Sequence, residues 1–322
     1  MSDGGAASGA STPGVVPIVA VVGATAAGKT GLSLDLAEAL DGEIVNTDAM
    51  QVYRGMDIGT AKLPPAERRG IPHHLLDLLE ITEPATVAEF QQLARDTIAD
   101  LRAAGRVPVL VGGSALYTRA VVDRFDFPGT DPAVRERLEQ ELADVGVEAL
   151  QARLAELDPV SAGRIEEMTP GNGRRIVRAL EVIEITGKPF SARLPVPEYV
   201  DPATIQIGVD IDRETLDARI EQRVGEMFEQ GFVDEVRRLL DRGLLESRTA
   251  LSAIGYRPVA AHLAGELTLA EARDRTVQQT RRFARRQDAW FRKDSRVVWV
   301  RYDDPDRIAR AVAAVRAVAP GT

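Results

Sequence analysis

Apolar residues fall in two patterns along the chain. Ile18-Val19-Ala20-Val21-Val22 and Val107-Pro108-Val109-Leu110-Val111 are continuous apolar runs, and Glu43-Ile44-Val45-Asn46 has the same character. Runs of this kind suit strands buried on both faces of a parallel sheet. Between them the period turns helical, from Gly31 to Leu40 and from Val87 to Ala104. Alternating strand and helix predict an α/β fold with a parallel-sheet core. From Asp131 to about Thr186 the period is helical without strands, bracketed by Phe127-Pro128-Gly129 and Leu194-Pro195-Val196-Pro197. This predicts an all-helical lobe, residues 131–197, inserted into a core of residues 15–130 and 198–322. Ile205, Ile207 and Val209 then alternate as a strand. Helices are expected from about Arg213 to Gln230 and through 233–293, and Val297-Val298-Trp299-Val300 predicts a last strand.

Composition narrows the chemistry. With 44% hydrophobic and 28% charged residues over 322 positions, the chain has the make-up of a globular protein. The absence of Cys excludes disulfides, thiolate metal sites and a cysteine nucleophile, and three His leave little for an imidazole metal site. A metal, if used, is expected to be oxygen-bound. Residues 1–14 are small and polar and are read as a disordered leader, and no apolar run approaches the roughly 18 residues of a membrane span. A cytoplasmic location is therefore expected. The net charge of −9 argues against a basic nucleic-acid binder as a whole, yet its distribution is uneven. Between Arg273 and Arg296 nine basic residues face three acidic ones, a local +6 that has the character of a phosphate-binding footprint.

Gly23-Ala24-Thr25-Ala26-Ala27-Gly28-Lys29-Thr30 fits G-x-x-x-x-G-K-[ST] between a buried strand and a helix. Glycines let successive backbone amides face phosphate oxygens, the helix N-terminus adds positive potential, Lys29 neutralises charge, and the Thr30 hydroxyl can hold Mg²⁺. The loop alone does not say whose phosphates it holds. An ATP-hydrolysing site needs an acid at the end of a second strand. The strand Val107 to Val111 runs instead into Gly112-Gly113-Ser114. The strand Glu43 to Asn46 does deliver Asp48 to the carboxyl end of the sheet, where open α/β sheets bind ligands, and Asp48 there can accept a proton or merely cap a turn. A kinase or ATPase, a prenyltransferase acting on free adenine nucleotides and a non-catalytic RNA binder all remain compatible with these features.

Longer blocks carry a resemblance. Gly23 to Thr30, Asn46 through Lys62, Pro72-His73-His74-Leu75, Leu110 through Tyr117, Arg178-Ala179-Leu180-Glu181-Val182, Ile254-Gly255-Tyr256-Arg257 and Arg285-Arg286-Gln287 resemble the tRNA dimethylallyltransferases, in family order over nearly the whole chain. The resemblance implies transfer of a dimethylallyl group from dimethylallyl diphosphate to N6 of the adenosine 3′ of the anticodon, position 37, in tRNAs reading codons that begin with U. The P-loop, Gly23 to Thr30, then holds the leaving diphosphate, with Mg²⁺ on Thr30.

Asp48 becomes the candidate general base. Ser114, the second residue implied to be catalytic, stands where the family usually has Thr and keeps a hydroxyl that would hydrogen-bond near the transferred group or the diphosphate. The resemblance further implies tRNA contacts at Asp48, Ala49, Met50, Gln51, Ser114 and Arg135, at Gly171-Asn172-Gly173-Arg174-Arg175, and at Arg257, Arg281, Arg282, Arg285 and Arg286. The partners it implies are the tRNA anticodon stem-loop and dimethylallyl diphosphate, with no membrane, and the chain is expected to act as a monomer. His73 and His74, adjacent and facing different ways, are expected to be structural.

Overall fold

The computed structural model describes residues 15–125, 127–193, 197–247 and 249–319. The expected leader of residues 1–14, and residues 194–196 of the expected second bracket, lie outside the described residues. The chain divides into an α/β unit, up to Val122 and from Tyr199 onward, and a helical unit, Asp123–Glu198, which begins ahead of the Asp131 read from the periodicity.

In chain order the α/β unit begins with β1 (Ile18–Val22), α1 (Lys29–Ala39), β2 (Gly42–Asn46), β3 (His73–His74), α2 (Val87–Ala103), β4 (Val107–Val111) and α3 (Ala115–Val122). The helical unit follows as α4 (Pro132–Val145), α5 (Val147–Leu157), α6 (Pro159–Met168) and α7 (Gly173–Thr186). The α/β unit resumes with β5 (Thr204–Asp210), α8 (Arg213–Glu229), α9 (Phe232–Leu240), α10 (Tyr256–Leu263), α11 (Leu269–Phe291), β6 (Val297–Arg301) and α12 (Arg307–Val318).

The six strands form one parallel sheet in the order β3-β2-β4-β1-β5-β6. β1 lies in its middle, with Val19 opposite both Val109 and Ile205. Successive side chains of a strand point to opposite faces. Ile18, Ala20 and Val22 accordingly pack into a core with residues of α2, α3, α9 and α10, whereas Val19 and Val21 pack into another with α1, α8 and α12. Burial on both faces is why these strands read as unbroken apolar runs rather than alternating ones.

The helical stretch expected over 233–293 is three helices in the structure. Gly243, Gly255 and Gly265 hold φ of 90°, 91° and 80°, the left-handed region that interrupts a helix and that glycine enters without steric cost. Helix α11 restarts on a capping box, Thr268 accepting from the Glu271 amide while the Glu271 carboxylate accepts from Thr268. The apolar pattern does not predict β3, α3 or α12. His73 and His74 form the short β3, paired with Ile44 and Val45.

The helical unit has its own core, centred on Leu138, Leu150, Leu154, Ile176, Val177 and Leu180. Asp131 caps α4 by accepting from the amides of Ala133 and Val134, with Pro132 at the first helical position.

Candidate active site

Three loops leave the carboxyl ends of the neighbouring strands β2, β4 and β1, and each carries one of the expected motifs. After β1, Gly23 and Gly28 hold φ of 135° and 107° and Ala26 holds 62°, so the backbone turns sharply into α1. The amides of Gly28, Lys29 and Thr30 have no hydrogen-bond partner among the described residues, the condition for receiving phosphate at a helix N-terminus. The Lys29 ammonium donates to the Ala24 carbonyl at 2.8 Å. Loss of hydration, then repulsion from Arg223, pushes its pKa down to about 8, while Asp48 acts in the opposite sense.

After β2, Asp48 is fixed by a turn of local bonds. Its amide donates to Asn46 Oδ1 at 2.9 Å, its own Oδ1 accepts from the Met50 amide at 2.9 Å, and Asn46 Nδ2 donates to the carbonyls of Asp48 and Leu75. The carboxylate is thereby held on the rim of the sheet. After β4 come two glycines that close packing requires. A Cβ on Gly112 would collide with Thr47 Oγ1, and one on Gly113 would collide with Gln287 Nε2.

These loops enclose two cavities that share Thr25, Asp48, Thr60, Ala61, Arg223 and Phe283. The larger, about 510 Å³, is lined by the P-loop residues Lys29 and Thr30 and by Arg219, Arg223 and Gln287. The second, about 380 Å³, is lined by Ala49, Met50, Ser114, Val224, Met227, Ile254 and Arg286. One cavity is thus cationic and presents backbone amides, the other is largely apolar, and the Asp48 carboxylate belongs to both. All their lining residues lie in the α/β unit.

The IPP transferase family pattern matches residues 51–294. The chain is 70% identical over 312 residues to a tRNA dimethylallyltransferase of a Nocardioides species, covering 97% of this chain and all of that one. It is 58% identical over 302 residues to the tRNA dimethylallyltransferase of Salinispora arenicola, covering 94% of this chain and 87% of that one. The chain belongs to the IPP transferase family. Among solved structures, the full-length tRNA isopentenylpyrophosphate transferase of Bacillus halodurans is similar at a TM-score of 0.67 and 39% identity, covering 94% of this chain and 95% of that one. A eukaryotic dimethylallyltransferase acting on tRNA is similar at a TM-score of 0.77 and 25% identity, covering 92% and 77%.

Within this IPP transferase the expected residues divide by environment. Asp48, Ala49, Met50, Ser114 and, from the P-loop, Thr25, Ala26, Gly28, Lys29 and Thr30 line the two cavities, whereas Gly23, Ala24 and Ala27 are buried and line neither. Gln51 lines the larger one, and its Nε2 donates to the carbonyls of Thr60 and Ala61, so its amide secures the loop opposite Asp48. Arg282, Arg285, Arg286 and Arg257 are exposed and without ion pairs among the described residues, and Arg286 stacks over Phe283 at 5.8 Å. Arg281 differs, because its guanidinium is paired with Glu221 at 2.7 Å.

In the helical unit Arg135 is bonded to Glu181, which is fully buried and also receives Arg178 at 2.8 Å and the Asp131 amide at 3.2 Å. Arg135 therefore holds the start of α4 against α7. Gly171 and Asn172 form the turn before α7, with Asn172 capping it and Gly173 opening it, and Arg174 and Arg175 are exposed at its first turn without an acidic partner among the described residues. No described helix is long and apolar enough to cross a membrane.

Sequence reasoning misses four residues that shape the candidate site. Arg219 and Arg223 reach the P-loop from α8, Arg219 to the Ala27 carbonyl at 3.4 Å and Arg223 to the Thr25 hydroxyl at 3.5 Å. Burial lowers the pKa of Arg223, with Asp48 opposing that shift. Their i, i+4 spacing on an expected helix is a usable signal that both share a face. Glu235 on α9 is 2% exposed and accepts from the amides of Asp57, Ile58 and Gly59 at 3.0, 2.7 and 3.1 Å and from the Tyr256 hydroxyl at 2.7 Å. It shapes the loop that presents Thr60 and Ala61 to both cavities. Gln287 is the fourth.

Proposed function

We propose that the chain transfers the dimethylallyl group of dimethylallyl diphosphate to N6 of the adenosine 3′ of the anticodon, position 37, in tRNAs reading codons that begin with U. The observation that carries this reading is the pair of cavities joined at Asp48. The cationic one suits the diphosphate, held by the free amides of Gly28 to Thr30 and by Lys29, Arg219 and Arg223. The apolar one suits the five-carbon chain and the adenine face.

In the reaction the C1–O bond of the donor breaks, its electron pair leaves with the diphosphate, and N6 forms the new bond to C1. The proton lost by N6 passes to the Asp48 carboxylate, which the Met50 amide and Asn46 hold in place. Fixed cations in the P-loop cavity stabilise the charge that grows on the leaving oxygens. Ser114 lines the second cavity, and in this reading its hydroxyl bonds the reacting end of a substrate.

Mg²⁺ fits this donor set. Thr30 is exposed to the cavity, and no cluster of three acidic or imidazole side chains exists among the described residues, so the ion would be bound by one hydroxyl, diphosphate oxygens and water, a mode usual for Mg²⁺. It would neutralise diphosphate charge. The reading extends to action as a monomer. A tRNA substrate supports a cytoplasmic location.

The test is to incubate the protein with dimethylallyl diphosphate and, separately, AMP or an anticodon stem-loop, and weigh the products. Prenylated stem-loop and unchanged AMP are expected. Prenylated AMP alone, or transfer of the γ-phosphate of added ATP, would overturn the reading.

A further inference from the structure

Gln287 stands on α11 directly after Arg286, yet it is only 4% exposed, in a position glutamine seldom takes. Both ends of its amide are committed. Oε1 accepts from the Thr25 amide at 2.8 Å, and Nε2 donates to the Gly113 carbonyl at 2.7 Å. One side chain therefore bridges the loop that follows β1 and the loop that follows β4. The residue after Gly113 is Ser114, and the Cβ position of Gly113 is 3.8 Å from Lys29 Nζ, so the bridge spans the floor between the phosphate loop and the reacting end.

We propose that Gln287 is a positioning residue for the transfer, its primary amide setting the separation of the phosphate loop from the Ser114 loop. This rests on reading Gly23 to Thr30 as the diphosphate site. The donor's reacting carbon is held by one loop's grip on the diphosphate, while Asp48 and Ser114 belong to the strands alongside. A small drift between the loops moves the carbon away from its line of attack, and misplacement of this order is expensive in rate. The chemistry of the residue is specific. A primary amide supplies one acceptor and one donor in a fixed geometry, a carboxylate supplies acceptors alone, and a protonated carboxyl again supplies one of each. Gly113 completes the arrangement, since any side chain there would occupy the space of Nε2.

The experiment uses the full chain and two variants, Gln287→Ala and Gln287→Glu. It measures kcat and KM for dimethylallyl diphosphate and for an anticodon stem-loop, together with a melting curve and calorimetric binding of inorganic diphosphate. Gln287→Ala is expected to lower kcat/KM for the donor by roughly 10- to 100-fold, the usual consequence of leaving buried partners unsatisfied, with stem-loop affinity unchanged. Gln287→Glu is expected to be the poorer variant at neutral pH, where its carboxylate faces the Gly113 carbonyl. Its activity relative to wild type at the same pH should rise as the pH falls and the carboxyl regains a proton to donate. Wild-type donor kinetics in folded Gln287→Ala, a loss equal for both substrates that tracks the melting temperature, or a pH-independent ratio for Gln287→Glu would each overturn the proposal. Failure of the wild-type protein to bind diphosphate would overturn the reading of the loop itself, a separate result.

Discussion

Arg219 and Arg223 in the α/β unit and Arg135 and Arg178 in the helical unit are the same residue type on helices, and the fold uses them in opposite ways. The first pair reaches carbonyl and hydroxyl oxygens of the P-loop and lines a cavity. The second pair converges on one buried carboxylate, Glu181. A guanidinium bonded directly to a buried carboxylate has little left for an external phosphate, whereas Arg219 and Arg223 make no direct ion pair among the described residues, although Asp48 and Glu226 act on Arg223 through space. The same contrast recurs along α11, where Arg281 is matched by Glu221 while Arg282, Arg285 and Arg286 are not. Counting basic residues locates a phosphate footprint only to the extent that the fold leaves them unmatched.

Replacements within the two pairs should separate them most visibly. Arg223→Gln is expected to weaken inorganic diphosphate binding by roughly 10- to 100-fold, the scale of a hydrogen bond to a charged group, with little change in melting temperature. Calorimetric titration checks it, and an unchanged affinity would show Arg223 to be structural. Arg135→Gln should do the reverse. Glu181 keeps Arg178, so the expected cost is about 1–3 kcal/mol of stability rather than that of a bare buried charge, with donor binding intact. Denaturant melts of the two variants side by side decide whether the pairs differ as described.

Along α11 the effect is smaller and is read from salt dependence. Replacing Arg282, Arg285 and Arg286 together by Gln should reduce the slope of log K for tRNA against log salt by roughly 0.7 to 0.9 for each phosphate that is no longer neutralised. Arg281→Gln should leave that slope alone. Equal slopes for both variants would mean that matching by Glu221 does not silence Arg281.

A further effect follows from Lys29, whose folded pKa of about 8 lies below the ordinary lysine value of 10.5. The protonated form binds the anion, so diphosphate affinity should fall as pH rises through about 8. Stability moves the other way. The unfolded chain holds more protons on this group between pH 8 and 10.5, so its contribution to stability rises with pH across that window. Lys29→Met should therefore melt slightly higher at neutral pH while losing diphosphate binding, and a lower melting temperature would contradict the stated cause.

The P-loop and Asp48 are legible in the sequence because their chemistry is contiguous. Eight adjacent residues make the loop between β1 and α1 that the proposal reads as the phosphate cradle, and the end of a buried strand fixes where Asp48 must stand. The two glycines before Ser114 are visible as a motif without a reason. Their reason is tertiary, since Thr47 and Gln287 occupy the space a side chain would need. Glu235 and Gln287 are illegible for the same cause. Their loop partners lie 176–178 residues away for Glu235 and 174 and 262 for Gln287, and nothing in local spacing marks one buried acid or amide as the one that ties loops together. The long helical stretch near the C-terminus reads as continuous because its apolar period persists across glycines that enter the left-handed region.

Asp48, shared by the cationic and apolar cavities, is the group on which the proposed chemistry turns, because the proposal has it take the proton from N6. Asp48→Asn probes this with little steric disturbance, since the amide oxygen can still accept from the Met50 amide, while proton acceptance is removed together with the negative charge that faces Lys29 and Arg223. Single-turnover transfer should be followed on an anticodon stem-loop with donor saturating, alongside binding of diphosphate and of the stem-loop. The expected result is a rate lowered by roughly 100- to 10,000-fold with stem-loop binding preserved and diphosphate binding no weaker. Transfer at the wild-type rate by a fully bound Asp48→Asn complex would show that Asp48 is not the proton acceptor.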